Sequence, residues 1–157
     1  MNIKLIAIGK TDHEALKNLI SEYQKRLSFY ISFEFDCIPD LKNSKNLSEK
    51  QQKEKEGELI LSKLTSSDYL ILLDENGKTF SSENYALFLQ KKMNAGIKTL
   101  VFVIGGPYGF SAEVYARANE KLSLSPMTFS HQMIRLFFIE QTYRAMTILK
   151  NEPYHHR

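Results

Sequence analysis

The chain is poor in several residue types, and each scarcity limits what it can be. Its 157 residues include one cysteine, Cys37, and no tryptophan. A single thiol excludes an intramolecular disulfide framework and a zinc site built from cysteines, and it is compatible with a reducing cytoplasm. Apolar runs are short, so we expect no membrane-spanning helix. Residues 1–10 lack a basic region and a small-residue cleavage site, and they predict a strand and not a signal peptide.

Charge of one sign is not in large excess either. The chain has 21 Lys and Arg against 18 Asp and Glu, a formal net charge of +3. This balance permits a nucleic-acid partner without requiring one. A hydrophobic content of 43% and a charged content of 25% are typical of a folded domain and not of a disordered chain. The length suits one core, so we expect residues 1–157 to form a single domain.

Strand and helix patterns alternate along the chain, which predicts an α/β fold with a mainly parallel sheet. Apolar or alternating runs predict strands at residues 3–8, 31–38, 68–74, 98–104 and 122–126. Helices are predicted between them, with Asp12 capping the first, Ser81 or Ser82 capping one that ends near residue 95, and Ser111 beginning a short one. Residues 75–78 predict a turn.

Two predicted helices are unusual in composition. Residues 42–58 are almost wholly polar, and their charges nearly cancel. We therefore interpret them as a solvated helix whose apolar contacts begin near Leu59, in preference to a mobile or RNA-facing helix. The last helix, residues 131–150, has apolar side chains nearly all round and should be buried on every side. A second subunit is the simplest cover, so we predict a homodimer through this helix.

A glycine-rich loop, residues 105–111 (GGPYGFS), follows the predicted buried strand 98–104 and contains three of the seven glycines. Glycine lets a backbone adopt positive φ or approach a ligand closely, and such loops often build ligand sites in α/β proteins. The spacing differs from the dinucleotide fingerprint G-x-G-x-x-G, and the loop lacks the Gly-Lys-Ser/Thr ending of a P-loop. A structural turn and a cofactor loop both stay open at this point.

Two further segments combine polar and aromatic side chains. Residues 124–131 (LSPMTFSH) either begin the last helix, with Thr128 or Ser130 as its cap, or form part of a site. The tail, residues 153–157 (PYHHR), is either frayed or functional. A zinc site of His131, His155 and His156 would have no fixed spacing and no cysteine support, so we expect no metal.

Together these segments resemble the RlmH family, small SPOUT-class methyltransferases that act on large-subunit ribosomal RNA. The resemblance is carried by residues 105–111 and by the opening and central strands, residues 3–10 and 70–77. Three C-terminal segments complete it: residues 122–135 (LSLSPMTFSHQMIR), 139–145 (IEQTYRA) and 153–156 (PYHH). It spans essentially the whole chain, and Ser130 stands where relatives often have proline.

The resemblance implies an α/β sheet with a C-terminal trefoil knot, a homodimer, and S-adenosylmethionine as cofactor. No metal is needed, because the sulfonium is already an activated methyl donor. Carried across by motif, the implied cofactor-binding positions are Leu73, Gly105, Gly106, Leu124, Ser125, Pro126, Met127, Thr128 and Phe129.

The family reaction is methylation of N3 of a pseudouridine in 23S rRNA, which we expect on ribosomes and not on a short free oligonucleotide. That nitrogen is a poor nucleophile until its proton leaves, so a base or an anion-stabilising group is expected. The candidates are His131, Arg144, Tyr154 and His155. Histidine can accept a proton near neutral pH, arginine can hold a phosphate or developing charge, and tyrosine can stack on a base. We expect the tail to complete the partner subunit's site.

Three functions therefore compete. The first is a cytoplasmic rRNA methyltransferase, and the second is a non-catalytic ribosome- or RNA-binding module of the same fold. The third is an unrelated Rossmann-like enzyme with a nucleotide cofactor. The absent fingerprints disfavour the third, and the intact loops and tail disfavour the second.

Overall fold

Strands and helices alternate along residues 1–156, the part of the chain that the computed structural model describes; Arg157 of the predicted tail lies outside the described residues. The strands are β1 (Asn2–Ile8), β2 (Ser32–Ile38), β3 (Tyr69–Thr79), β4 (Thr99–Ile104) and β5 (Glu120–Ser123). The helices are α1 (Glu14–Ser28), α2 (Glu49–Ser62), α3 (Ser82–Asn94), α4 (Ala112–Arg117) and α5 (Met133–Leu149), and a short 3-10 turn, Ser44–Asn46, precedes α2.

The strands form one sheet in the order β2-β1-β4-β3-β5, and every neighbouring pair is parallel. This confirms the predicted parallel α/β architecture. One face of the sheet packs on α1, α3 and α5, through side chains such as Phe102 and Phe138. The other face packs on α2 and α4, through side chains such as Val101 and Val114. The fold therefore has three layers, and the carboxyl ends of its strands share one edge.

Two of the predicted helix caps are confirmed and one is wrong. The hydroxyls of Ser81 and Ser111 accept backbone N–H bonds at the starts of α3 and α4, at 3.1 and 3.3 Å. Asp12 does not cap α1, which begins at Glu14 without a side-chain cap. The Asp12 backbone N–H instead donates to Gln132 Oε1 at 2.9 Å, because the start of α5 approaches the end of β1.

The turn predicted at residues 75–78 is wrong, because β3 continues through it. Leu73 and Lys78 both pair with Leu122 of β5, so the residues between them bulge out of the ladder. Gly77 is required there, since a Cβ would lie 2.5 Å from the backbone nitrogen of Leu122. Residues typical of turns thus form a bulge in a strand.

The polar helix is less solvated than predicted. Glu56 has an exposed fraction of only 4%, and Gly57 is also buried, so the contacts of α2 begin before Leu59. A charged side chain is a poor sequence signal for burial, which is why the pattern missed this face.

Helix α5 lies between α1 and α3 on the sheet. Its inner face is buried, with Phe138 and Ala145 fully inaccessible, while Met133 at its start is 42% exposed. The prediction of burial on every side is therefore not met within one chain. No helix in residues 1–156 is both long and apolar enough to cross a membrane.

Candidate active site

A cavity of about 500 Å³ opens at the carboxyl ends of β3, β4 and β5. This volume is in the range of small-molecule and cofactor sites, and the carboxyl edge is where open α/β sheets bind ligands. Its lining comes from four segments: residues 73–76, residues 104–110 with Tyr115, residues 122–129 without Pro126, and His131 with Ile134.

Most residues that the family resemblance implies for the cofactor line this one cavity. Those residues are Leu73, Gly105, Gly106, Leu124, Ser125, Met127, Thr128 and Phe129. Pro126 is not among the lining residues. Of the four proposed catalytic residues, His131 lines the cavity and the other three do not. The glycine loop and the loop after β5 therefore meet across one space, although α4 and β5 lie between them in the sequence.

The glycine loop makes a tight turn at the end of β4. Gly109 has φ +82°, and its N–H donates to the carbonyl of Gly106 at 3.1 Å. A Cβ on Gly105 would lie 3.1 Å from the Phe110 ring, and one on Gly106 would lie 2.5 Å from the Glu56 carboxyl. The two glycines are thus backed closely by buried side chains, and their bare backbone forms a wall of the cavity.

The loop after β5 is ordered by its own hydroxyls. Ser125 Oγ accepts the Met127 N–H at 2.9 Å, and Ser123 Oγ donates to the Ser125 carbonyl at 2.9 Å. Ser130 Oγ accepts the Met133 N–H at 3.1 Å, although the residue directly before α5 is Gln132, whose side chain makes no cap bond, and not Thr128 or Ser130. Met127 is 77% exposed, and a ligand in the cavity could cover it.

Arg135 ties this loop to the end of β1, and sequence reasoning assigned it no role. Its side chain is 1% exposed. The guanidinium donates at 2.9 Å to the carbonyls of Ile8, Gly9 and His131, and at 3.1 Å to Thr11 Oγ1. Because these acceptors belong to two distant segments, one buried side chain fixes the loop against the sheet. No sequence signal identifies such a contact in advance.

An acidic patch on the cavity wall was also missed. Asp74 and Glu75 lie in the bulge of β3 and line the cavity. The Tyr115 hydroxyl donates to Asp74 Oδ2, and the Asn76 N–H donates to Oδ1 at 2.8 Å. Partial burial and the bond to Asp74 raise the pKa of Tyr115 to about 12. The signal in the sequence was an acidic pair directly after a buried strand.

The other three proposed catalytic residues, Arg144, Tyr154 and His155, form a second cluster at the far end of α5 from the cavity. Glu140 Oε1 accepts bonds from Arg144 Nη2 at 2.6 Å and from the Tyr154 hydroxyl at 2.8 Å. Burial, with hydrogen bonds to Tyr23 and Glu140, raises the pKa of the Tyr154 phenol. That phenol is therefore neutral at physiological pH and acts as a hydrogen-bond donor and not as a base.

His155 completes this cluster. Arg144 Nη1 lies 3.2 Å from His155 Nδ1, and a guanidinium has only donors, so Nδ1 is the acceptor. The proton of the neutral ring is then on Nε2, which lies 4.0 Å from Glu83 Oε1. In this arrangement the basic nitrogen of His155 is occupied by Arg144.

The two clusters are separated along α5. Ile134 lines the cavity and Arg144 is ten residues further on, which is about 15 Å at 1.5 Å per residue. Within one chain, Arg144, Tyr154 and His155 thus do not line the cavity. His131 lies at the opposite end of α5 from His155 and His156, and residues 1–156 bring together no group of three or more His, Cys, Asp or Glu that could hold a metal ion.

Comparison with known proteins agrees with this architecture. A family model described as "Predicted SPOUT methyltransferase" matches residues 1–155. The parallel α/β fold is thus that of a SPOUT-class methyltransferase.

Curated relatives identify the family within that class. A protein named "Ribosomal RNA large subunit methyltransferase H" from Flavobacterium johnsoniae is 73% identical over 157 residues, the full length of both chains. Proteins of the same name from Parabacteroides distasonis and Bacteroides thetaiotaomicron are 65% and 55% identical over 156 residues, 99% of each chain. The chain belongs to the RlmH family.

Proposed function

We propose that this chain uses S-adenosylmethionine to methylate N3 of a pseudouridine in 23S rRNA, on assembled ribosomes in the cytoplasm. Residues 1–157 act as one domain in this proposal. The observation that carries it is the cavity in which the glycine loop and the loop after β5 face each other. The name that the relatives carry, a ribosomal RNA large subunit methyltransferase, supports the substrate class.

The residues around the cavity suit the cofactor. Apolar side chains of Leu73, Leu124 and Ile134 offer a slot for a flat adenine ring, and loop amides offer donors and acceptors for its edge. The bare backbone of Gly105 and Gly106 permits close approach. Carboxylates of the acidic patch complement a sulfonium cation, which supplies the activated methyl group when the cofactor is bound.

Methyl transfer requires two things of the protein. It must hold the nitrogen N3 against the methyl group that a bound S-adenosylmethionine would supply, and it must let the N3 proton leave to a base or to water, so that a neutral thioether and a methylated base would remain. Positioning the two reactants can lower the barrier by roughly 7–11 kcal/mol in favourable cases. Arg144 can stabilise negative charge on the deprotonated base, and Tyr154 can stack on it or donate a hydrogen bond to it.

Several residues reach such a site only from a second chain. Arg144, Tyr154 and His155 do not line the cavity of their own chain, while apolar side chains on the outer face of α5 remain partly exposed. We therefore propose a homodimer through α5 in which the tail of one subunit completes the site of the other. When RNA is bound in this shared site, one of its phosphates or bases would take the place that Arg144 has beside His155.

The trefoil knot of the family is also part of the proposal. It is supported by the path of the chain after β5, which leaves the edge of the sheet and crosses to the end of β1. There Gln132 Nε2 donates to the Lys10 carbonyl at 3.0 Å and Arg135 contacts the end of β1.

A methyl-transfer assay on ribosomes tests the proposal. Ribosomes from a strain that lacks the enzyme should accept labelled methyl groups from S-adenosylmethionine, and calorimetry should detect this cofactor but not NAD. Cofactor binding without methyl transfer would favour the non-catalytic RNA-binding module. Efficient methylation of a short free hairpin would contradict the ribosomal substrate.

Mixed dimers test the shared site. A chain lacking residues 154–157 should bind cofactor but not transfer methyl groups, and a Gly106→Leu chain, blocked in its cavity, should also be inactive. Mixing the two should restore activity, because one of the two sites then combines an intact cavity with an intact tail. Absence of recovery in verified mixed dimers would contradict completion in trans.

A further inference from the structure

Glu56 of α2 is a buried carboxyl group that the proposed chemistry does not use. It is 4% exposed, and its Oε1 has no hydrogen-bond partner in residues 1–156. Its Oε2 receives only a long bond, 3.5 Å, from Gln52 Nε2. Burial raises the pKa of this carboxyl group, the nearby Asp40 adds to the rise, and the Gln52 bond opposes it. An apolar side chain of similar size would be more stable at such a position.

The carboxyl group lies directly behind the glycine loop. A Cβ on Gly106 would lie 2.5 Å from Glu56 Oε1 and 2.7 Å from Oε2, so the carboxyl occupies the space that a side chain would need. Gly106 lines the cavity, whereas Glu56 does not. Gly106, which has no side chain, is therefore the residue that separates Glu56 from the proposed cofactor.

Helix α2 also contacts the last residue of the glycine loop, Ser111. A Cβ on Gly57 would lie 2.5 Å from Ser111 Oγ, and Ser111 is the cap of α4. Two successive residues of α2 thus contact Gly106 and Ser111, between which the glycine loop runs. The loop has few bonds of its own, since Pro107 has no N–H and one backbone bond, Gly109 to Gly106, closes its turn.

We propose that Glu56 is a positioning residue that fixes the path of Gly106 for cofactor binding, with Oε1 as the acceptor for a backbone N–H of the glycine loop in the bound state. The inference rests on the proposed function, in which the cavity binds S-adenosylmethionine. It explains why a costly buried carboxyl occupies a place where an apolar side chain would pack. Conflicts between stability and local structure of this kind are typical of functional sites.

The test compares two substitutions of similar size at this position. Glu56→Leu fills the space without an acceptor, while Glu56→Gln keeps an acceptor oxygen and removes the charge. We expect Glu56→Leu to unfold at equal or higher urea concentration than the wild type, because it removes an unpartnered buried polar group. Its Kd for S-adenosylmethionine, measured by calorimetry, should rise at least about tenfold, and that of Glu56→Gln should stay within about threefold.

Glu58→Leu is the matched control, because Glu58 lies on the exposed face of the same helix. It should leave the affinity unchanged. A purely structural role predicts that stability and affinity fall together, whereas positioning predicts that affinity falls alone. Wild-type affinity in Glu56→Leu would overturn the inference, and so would a loss in Glu56→Gln as large as in Glu56→Leu. A wild-type chain that does not bind S-adenosylmethionine would overturn the proposed function itself, and this inference with it.

A double-mutant cycle keeps the test decisive if Glu56→Leu does not fold. Gly106→Ala places a Cβ against the Glu56 carboxyl, and Glu56→Ala makes room for it. Gly106→Ala should therefore weaken cofactor binding more in the wild-type background than in Glu56→Ala. Equal losses in the two backgrounds would overturn the inference.

Discussion

Arg135 shows how much one side chain can decide at the scale of a residue. Its guanidinium is buried and donates to three backbone carbonyls and one hydroxyl from two segments that are far apart in sequence. The guanidinium of arginine spreads five donors over three nitrogen atoms in a fixed plane, whereas lysine has three donors on a single nitrogen. The loop after β5 therefore depends on a residue whose importance no sequence pattern revealed.

Replacing Arg135 should be severe. Arg135→Met would leave buried carbonyl oxygens without donors, so we expect the free energy of unfolding in urea to fall by about 3–5 kcal/mol. Arg135→Lys should recover only part of this loss. Lys17→Met on the exposed face of α1 is the control and should stay within about 0.5 kcal/mol. A loss below about 1 kcal/mol for Arg135→Met would contradict the role given to its hydrogen bonds.

Tyr30 and Tyr115 are two of the tyrosines whose raised pKa links stability to alkaline pH. The Tyr30 hydroxyl donates to Glu152, and this bond raises the Tyr30 pKa to about 12; partial burial and the bond to Asp74 do the same for Tyr115. A raised folded-state pKa contributes stability that is complete below the unfolded pKa, near 10, and is lost as the pH rises through the folded value.

We therefore expect the urea midpoint to begin falling above a pH of about 10 and to keep falling through about 12, since the pKa of Tyr154 is raised as well. Ultraviolet absorbance of phenolate should show these tyrosines titrating later in the folded chain than in urea. The double variant Tyr30→Phe/Tyr115→Phe should show a weaker dependence on pH. An unchanged dependence would mean that other groups control the alkaline limit.

At the scale of elements, local signals predicted the ends of β1, β2 and β4 and two helix caps, but they missed the extension of β3. Ser81 and Ser111 cap their helices as predicted, because a cap joins atoms only a few residues apart. The turn at residues 75–78 was wrong because pairing with β5 extends β3 beyond it. The burial of α2 at Glu56 was missed because it depends on contact with the glycine loop.

The two serine caps allow a comparison between elements. Ser81→Ala and Ser111→Ala should each lower the free energy of unfolding by about 1 kcal/mol, the usual value of such a cap. Only Ser111→Ala should also weaken cofactor binding, because α4 follows the glycine loop directly whereas no residue of α3 lines the cavity. Calorimetry on both variants checks this. Equal cofactor affinities would show that the loop does not depend on its cap.

At the scale of the whole molecule, the outer face of α5 is the surface through which we propose that two subunits associate. Met133 is 42% exposed and Leu136 and Phe137 are half-buried, an arrangement that suits a second subunit. Arg144 and the tail lie at the far end of the same helix. One interface could therefore both cover the apolar face and bring the tail to a second cavity.

A single charge on that face should separate the subunits. Leu136→Glu should shift the sedimentation of the chain from dimer to monomer at micromolar concentration and abolish methyl transfer, because an unpaired charge would be buried at the interface. Leu87→Glu is the control, since Leu87 is 55% exposed on α3. A wild-type chain that sediments as a monomer would contradict the dimer outright.

By itself the sequence determined the strand and helix order and the parallel sheet, which follow from apolar periodicity, a local property of a chain. The segments that line the cavity were implied only by the resemblance to the RlmH family. Only the tertiary structure decided that the two loops share one cavity, that Arg144 and the tail lie outside it, and that Glu56 and Arg135 are buried beside the loops. Each of these depends on contacts between segments that the fold brings together. The residues next to Glu56 or Arg135 in the sequence carry no signal of such a contact.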